Sequence, residues 1–182
     1  RGNKMSKFKW RRLSRYTAEE IDNAAREGPW RALEYASGLL APDTLEFCAR
    51  AQPITALEHA ANQIKPETLD WCARTDPAVA LSYASNLLTP ATLDWCAREV
   101  PWAAFVYASN LLTPATLEFC AKEIPWAALK HAAALLTPAT LDWCARRESW
   151  RALKYAANLL TPETLEWCHA QEVIKLLTVS ET

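Results

Sequence analysis

The sequence predicts an all-α solenoid built from six tandem repeats. The first observation is the repeat itself: the unit PWAALxYASNLLTPATLDWCAREx recurs from Pro29 to Glu172 without insertion or deletion. The second is that each unit contains two apolar patterns with the three-to-four spacing of an amphipathic helix. The third is a proline at the start of almost every pattern, where a helix tolerates it. A period of about 20–50 residues is typical of solenoids, whose units bury their apolar faces against their neighbours.

The chain divides into a basic N-terminal segment, a capping half-repeat, the six repeats and a C-terminal cap or tail. The bounds of these segments are residues 1–16, 17–28, 29–172 and 173–182. Residues 1–4 precede the only methionine, Met5, and are expected to be a cloning remnant. The C-terminal segment is expected to begin another first helix and then stop. Polar end units of this kind keep a solenoid soluble.

The first helix of each repeat is illustrated by the fourth copy, residues 101–124. Its apolar stripe is predicted to consist of Ala104, Phe105, Ala108, Leu111 and Leu112. Asn110 is expected to end this helix in the left-handed conformation that asparagine and glycine tolerate. Recurring alanines let neighbouring helices approach closely.

The second helix of the same copy begins at Thr113-Pro114, where a threonine N-cap precedes a proline in the first helical position. Its predicted buried stripe consists of Leu117, Cys120 and Ala121. Repeats one and two have Ala41 and Lys65 in place of the capping threonine, so their second helices lack a good cap. Some of these short second helices could be partly 3₁₀ rather than α.

The pattern TPxxLxxCAxxxPxxALxYAxNLL resembles the leucine-rich repeat variant family of bacterial proteins, whose units have the same length and begin with TP-x-x-L. The box Ala32–Ser37, ALEYAS, is similar to a bacterial repeat family rich in such segments. The resemblance covers about residues 17–175 and implies a helical-repeat architecture. One protein type of that family holds an iron–sulfur centre through an N-terminal cysteine cluster. Residues 1–28 contain no cysteine, so that feature does not carry over.

Composition excludes several classes of function. No apolar run approaches the roughly 18 residues of a membrane helix, so no membrane insertion is expected. Three glycines are too few for a glycine-rich phosphate loop. Seven of the 20 lysines and arginines precede the first acidic residue, Glu19. This basic arm either associates with nucleic acid or anionic lipid, or lies as a cap against its own acidic repeats.

Three columns of side chains recur at fixed positions, counting the first residue of each copy as position 1. Position 20 is cysteine, position 19 is aromatic, and position 7 is tyrosine or histidine. The columns are Cys48, Cys72, Cys96, Cys120, Cys144 and Cys168; Phe47, Trp71, Trp95, Phe119, Trp143 and Trp167; and Tyr35, His59, Tyr83, Tyr107, His131 and Tyr155.

The cysteine column is interpreted as core packing. One cysteine per repeat, without a CxxC pair or neighbouring histidines, is a poor metal site, although a thiol column binding copper, zinc or a cluster is the alternative. Neighbouring thiols would be about one repeat apart, beyond the Cα separation of about 7 Å that a disulfide spans. Buried, reduced thiols without a metal are therefore expected, in a reducing, cytoplasmic location.

The aromatic column lies off the buried stripe and is predicted to cover the seams between repeats. The alternative is an exposed column that stacks on bases, sugars or cationic ligands, although the acid beside each ring disfavours nucleic acid. The tyrosine–histidine column is interpreted as an amphipathic flank. No Ser-His-Asp or Cys-His dyad has suitable spacing, so no catalytic residue and no cofactor is predicted.

A candidate partner surface follows from positions 3 and 6, which are expected to face water. These positions are apolar in the middle repeats and charged at both ends, as expected of a patch with a polar rim. The candidate binding residues are Val79, Trp102, Ala103, Val106, Trp126 and Ala127, and the candidate rim residues are Glu34, Glu58, Lys130 and Lys154. The alternative is that alanine at these positions is simply a good surface helix former.

The function expected from these patterns is a non-enzymatic scaffold that binds a protein or peptide. An antiparallel homodimer is one form of it, because the acidic and basic ends of the rim would face each other. The alternatives are association with nucleic acid through the basic arm, and a metal-binding or enzymatic helical-repeat protein.

Overall fold

A computed structural model describes residues 8–179 of the chain. This range is helical almost throughout and contains no strand, which confirms the predicted all-α repeat solenoid. Within the same range no helix has both the length and the apolar character needed to cross a membrane. The expected cloning remnant and the last three residues of the expected tail lie outside the described residues.

A short 3₁₀ helix, Trp10–Arg15, precedes the capping helix α1, Ala18–Glu27. The first helices of the six repeats are α2 (Pro29–Ala36), α4 (Pro53–His59), α6 (Pro77–Ala84), α8 (Pro101–Ala103), α10 (Pro125–His131) and α12 (Ser149–Tyr155). The second helices are α3 (Pro42–Ala51), α5 (Pro66–Thr75), α7 (Pro90–Glu99), α9 (Pro114–Glu123), α11 (Pro138–Arg147) and α13 (Pro162–Val179).

The chain forms two compact units, and the boundary between them, at Cys96 and Ala97, lies inside α7. In unit 1, up to Cys96, α2 packs against α3 and against the next first helix, α4. In unit 2, from Ala97 onward, α10 packs in the same way against α11 and α12. Each repeat therefore buries its apolar face against its neighbours in sequence, as a solenoid requires.

The first helices end in a way that the sequence did not predict. The alanine at position 8 leaves the helical region, with φ −139° and ψ 11° at Ala36 and φ −139° and ψ 12° at Ala132. In four repeats a three-residue 3₁₀ helix follows, for example Ala133–Leu135. No described residue has a positive φ, so the left-handed conformation expected at Asn110 is wrong. The 3₁₀ closure needs only right-handed backbone, and the 3₁₀ geometry occurs here rather than in the second helices.

The second helices begin in two ways. Thr113 Oγ1 accepts a hydrogen bond of 3.2 Å from the backbone N–H three residues later, as predicted for an N-cap. Where threonine is absent, as at Ala41 and Lys65, the helix start has no side-chain cap, as expected, but an acid of the preceding helix accepts from the N–H of the N-cap residue. The N–H groups of Ala41 and Lys65 donate to Asp22 and Glu46, at 3.0 and 2.7 Å. The acid at position 18 therefore joins one repeat to the start of the next second helix.

The core repeats with the sequence. The alanine at position 4 and the cysteine at position 20 are fully buried in all six repeats. Threonine at position 16 is buried as well, and this column was missed by the sequence analysis. In both units it is joined to the preceding repeat: Thr92 donates to Asp70, and Thr164 donates to Asp142. A buried hydroxyl with a carboxylate partner avoids the cost of an unsatisfied polar group.

Two more expectations about the repeats are wrong. Leu111, assigned to the buried stripe, is 47% exposed, because the 3₁₀ turn rotates it away from the core. The C-terminal segment does not begin a separate first helix, since α13 continues without a break through Val173. Val173 occupies the position of the usual proline, and unlike proline it has the backbone N–H that lets a helix continue.

Candidate functional site

The cysteine column caps helix ends. Each Sγ donates to the carbonyl of the alanine 23 residues earlier, at 3.4–3.8 Å. These carbonyls belong to the last turn of the preceding second helix, where no intrahelical N–H is available. For example, Cys72 donates to Ala49 and Cys144 donates to Ala121. The thiols therefore hydrogen-bond each second helix to the one before it.

Burial also determines the protonation state of these thiols. It raises the pKa of Cys48 and of Cys72 to about 11 and that of Cys144 to about 12. A protonated thiol is a donor, whereas metal binding and nucleophilic attack need the thiolate. Among residues 8–179 no group of three or more histidines, cysteines and acids is placed to hold a metal ion. The prediction that the cysteines are buried is confirmed.

The aromatic column lies at the seams between repeats, as predicted, but arginines close these seams. The guanidinium of Arg74 lies 5.3 Å from the ring centroid of Trp95, one repeat further on, and that of Arg146 lies 5.4 Å from Trp167. Phe47, under Arg26, is still 43% exposed. A cation over a ring contributes about 0.5–1 kcal/mol at exposed sites. An arginine therefore lies over five of the six rings of the column, and Trp71 is the described ring without one, at 42% exposed.

The structure divides the predicted partner surface into exposed and buried positions. Trp102, Val106 and Trp126 are exposed, at 46%, 42% and 39%. Ala103 and Ala127 are fully buried, so the expectation that position 3 faces water is wrong for them. Position 3 lies beside the buried position 4, and a methyl group there is covered completely. Longer side chains at the same position extend outward past this contact.

The remaining predicted residues are placed as follows. Val79, at position 3 in unit 1, is half-buried. Position 6 faces solvent as expected: Glu34 and Glu58 are exposed in unit 1, and Lys130 and Lys154 are exposed in unit 2. The acidic half of the rim therefore belongs to unit 1 and the basic half to unit 2.

Trp150 extends the exposed surface of unit 2. It is 43% exposed, and it occupies position 2, like Trp102 and Trp126. Arg151 lies 5.5 Å from the ring centroid of Trp126 and 4.7 Å from that of Trp150, and Lys154 lies 5.8 Å from Trp150. Trp150 was not among the predicted residues. It could have been predicted from the sequence, because it occupies the same repeat position as Trp102 and Trp126.

Open pockets lie beside the two histidines of the tyrosine–histidine column. The unit 1 pocket, about 430 Å³, is lined by His59, Glu58 and residues of the next repeat that include Tyr83 and Leu87. The unit 2 pocket, about 480 Å³, is lined by the equivalent residues, which are His131, Lys130, Tyr155 and Leu159. Equivalent residues of two repeats thus line both pockets. In the sequence, histidine instead of tyrosine at position 7 marks these two repeats.

The neighbouring charge differs between the two pockets. In unit 1 the Glu58 carboxylate lies 3.9 Å from His59 Nε2. In unit 2 burial, and to a lesser extent the adjacent Lys130 ammonium, lowers the pKa of His131. A histidine kept neutral beside an ammonium group makes the unit 2 pocket a place for an anionic or neutral side chain.

These features define an all-α tandem-repeat protein with an aromatic and basic face on its second unit. Comparison of the chain with protein-family models, with curated proteins and with solved structures returns no match.

Proposed function

We propose that the protein is a non-enzymatic repeat scaffold that binds a protein or peptide through the first-helix face of unit 2. The observation that carries this proposal is the row of Trp102, Trp126 and Trp150. Their side chains occupy one position in three consecutive repeats and are 46%, 39% and 43% exposed. Tryptophan is enriched among the residues that dominate binding energy at protein interfaces.

The spacing of this row suits an extended ligand. Packed helices lie about 8–10 Å apart. A polyproline II chain advances about 3.1 Å per residue with three residues per turn, so every third side chain lies on the same side and about 9 Å further on. Such a segment would present one apolar side chain to each repeat.

The charge of the face favours an acidic ligand. Arg151 and Lys154 lie against the exposed rings, and Lys130 is exposed at the equivalent position one repeat earlier. Glu148 forms an ion pair with Arg151, whereas neither lysine forms an ion pair with another residue between 8 and 179. Complementary charge sets orientation and association rate, and the buried aromatic contacts supply most of the affinity.

Location is part of the proposal. Six buried free thiols are typical of proteins in a reducing compartment, and we place the scaffold in the cytoplasm on that basis.

The test is direct binding of a labelled peptide with leucine at every third position and glutamate at the others, measured by fluorescence anisotropy. The control peptide has lysine in place of glutamate. Trp126→Ala should weaken binding of the acidic peptide about tenfold or more, as expected for a central aromatic anchor. Lys130→Glu should weaken it mainly through a slower association rate.

A matched control is Lys122→Glu, which makes the same charge change on the outer face of α9, a second helix. Lys122 is exposed and forms a surface ion pair with Glu118, at 2.8 Å, so the fold should tolerate the change. Equal binding of the acidic and lysine peptides, or equal losses in Lys130→Glu and Lys122→Glu, would contradict the proposal. Sedimentation equilibrium of the protein alone tests whether a second copy, through its acidic Glu34 and Glu58, is the ligand.

A further inference from the structure

Residues 8–16 of the N-terminal arm are a folded part of unit 1. The 3₁₀ helix Trp10–Arg15 packs against α2, and Trp10 is only 8% exposed. The ring of Phe8 stacks on that of Tyr16 with centroids 4.2 Å apart, and the backbone N–H of Lys9 donates to Tyr16 Oη at 3.1 Å. This part of the arm is therefore anchored by aromatic packing and a hydrogen bond, and it lies against the first repeat.

A pocket of about 410 Å³ lies between this arm and the first repeat. Its aromatic lining comes from both sides: Phe8 and Trp10 from the arm, and Trp30 and Tyr35 from α2. Trp30 is 46% exposed and Tyr35 is 37% exposed, so both offer ring surface to a ligand. The volume lies within the range of about 300–1,000 Å³ typical of small-molecule sites.

The rest of the lining is basic. Lys9, Arg11, Arg12 and Arg31 line the same pocket, and none of the described lining residues is an acid. The three arginines are charged at any physiological pH. The guanidinium of Arg31 lies 5.1 Å from the ring centroid of Trp30, so a cation and a ring are in contact within the pocket lining. Flat rings beside guanidinium groups are the combination that binds a base by stacking and its phosphates by charge.

We propose that this pocket binds a nucleotide, either free or as one unit of a single-stranded nucleic acid. The base would stack on the exposed aromatic lining, and the phosphates would pair with Arg11 and Arg12. An acidic peptide would satisfy the charges but would leave the ring surfaces without a flat partner. This inference does not depend on the function proposed for unit 2.

The experiment uses the full chain and two probes, a labelled oligothymidylate in fluorescence anisotropy and adenosine monophosphate in isothermal titration calorimetry. Trp30→Ala should weaken oligothymidylate binding between about fivefold and about 150-fold, the range for loss of one base–aromatic stack. Trp71→Ala, the same change at an exposed tryptophan of unit 1 that does not line the pocket, should leave it unchanged.

Arg12→Glu and Arg15→Glu form the second pair. Both residues are exposed on the arm, but only Arg12 lines the pocket. Arg12→Glu should weaken binding of both probes and reduce the slope of log K against log salt by about one or more for the oligonucleotide. Arg15→Glu should change affinity less than twofold for the monophosphate. Circular dichroism of each variant establishes that the helices are retained.

The outcomes separate the sources of the nucleotide. Binding of both probes with the same variant pattern identifies the pocket as a nucleotide site, and binding of the oligonucleotide alone identifies the ligand as a single strand. Equal losses in Arg12→Glu and Arg15→Glu would mean that the arm attracts polyanions without a pocket, which overturns the proposal. Binding of neither probe at low salt also overturns it, as does displacement of both by the acidic peptide used for unit 2.

Discussion

Units 1 and 2 carry the same buried columns and opposite surface charge at one repeat position. Position 6 is Glu34 and Glu58 in unit 1 and Lys130 and Lys154 in unit 2, all exposed. Cysteine, threonine and alanine at positions 20, 16 and 4 are buried in both units without exception. The comparison shows that the same few positions are buried in both units, whereas an exposed position differs in charge between them.

The two histidine pockets likewise combine equivalent lining residues with opposite charges at one position. His59 and His131 occupy equivalent positions in pockets of about 430 and 480 Å³. Glu58 borders one pocket and Lys130 the other. The acid at position 6 makes the charge beside the unit 1 pocket negative, and the base at the same position makes it positive in unit 2.

One difference between the units concerns the backbone. In unit 2 the first helix of the fourth repeat passes into a π-helical turn over Ala104–Ala108. Its core residue is Phe105, 1% exposed, where Leu33, Leu57 and Leu81 occupy the equivalent position in unit 1. The π turn coincides with the one core position of this column that accommodates a larger ring. Its two exposed residues are Val106, one of the predicted partner residues, and Tyr107 of the tyrosine–histidine column.

The largest expected effect is a loss of unfolding free energy, and it tests whether the buried cysteines of the two units are equivalent. Cys72→Asp and Cys144→Asp each place a carboxylate where the thiol is fully buried and donates to a carbonyl. An ionised group there meets a second acceptor instead of a donor, so each variant should lose on the order of 3–5 kcal/mol of unfolding free energy. Urea titration followed by circular dichroism measures this loss. A large loss in one unit and a small one in the other would show that the cysteine columns have different roles.

The next effect concerns alkaline pH. The pKa values of Cys72 and Cys144 are raised to about 11 and about 12 by burial, whereas an unfolded cysteine titrates near 8.5. The folded state therefore binds more protons above pH 8.5, and the stability that depends on the protonated thiols is fully present below that pH. It should be lost as pH rises through the range from about 9 to the folded values.

Cysteine-to-alanine variants isolate this effect from the titration of lysines and tyrosines. At pH 7, Cys72→Ala and Cys144→Ala should each cost about 1 kcal/mol, through a small cavity and a lost hydrogen bond. The difference from the parent protein should shrink between pH 9 and pH 11 as the parent loses its thiol contribution. Thermal melts across that range provide the measurement, and a constant difference would mean that the thiols do not titrate with unfolding.

A smaller effect compares position 10 in the two units, which is Gly38 in unit 1 and Ala134 in unit 2. Gly38 lies in a 3₁₀ helix without a positive φ, and a Cβ built there would meet only Gln63 Oε1, at 3.9 Å. Gly38→Ala should therefore stabilise by about 0.4–1 kcal/mol, because it restricts the unfolded chain. Ala134→Gly should destabilise by a similar amount. Destabilisation by Gly38→Ala in urea titration would mean that the turn is strained in unit 1.

Local chemistry made much of the fold predictable. Thr113-Pro114 specifies a helix start through contacts within four residues, and Cys120 repeats at the spacing of a buried stripe. The ends of the first helices were not predictable in the same way, because Asn110 suits both a left-handed cap and a 3₁₀ turn. Burial of Ala103 depends on how closely neighbouring helices approach, which the apolar pattern of one helix does not contain.

The candidate sites also differ in whether they could be predicted from local sequence or depend on tertiary packing. Val106 and Lys130 were predicted from their position on one helix, and their exposure follows from helical periodicity alone. The pocket of the arm brings Phe8 and Arg12 against Trp30, and its existence depends on packing between segments far apart in sequence. Periodicity identifies which side of a helix faces water, but tertiary packing decides where exposed side chains enclose a volume.

The smallest expected effect on stability separates binding from folding. Val106 is 42% exposed at position 6 in unit 2, and Ser82 is its half-buried equivalent in unit 1. Val106→Glu should change the unfolding free energy by no more than about 0.5 kcal/mol, since surface substitutions rarely exceed that. It should nevertheless weaken binding of the acidic peptide, because it adds a like charge beside the tryptophan row. Ser82→Glu adds the same charge in unit 1, where the neighbouring position 6 residue is already acidic, and should leave that binding unchanged. Loss of folding in Val106→Glu would place the residue in the core, and equal peptide binding by the two variants would remove unit 2 as the binding face.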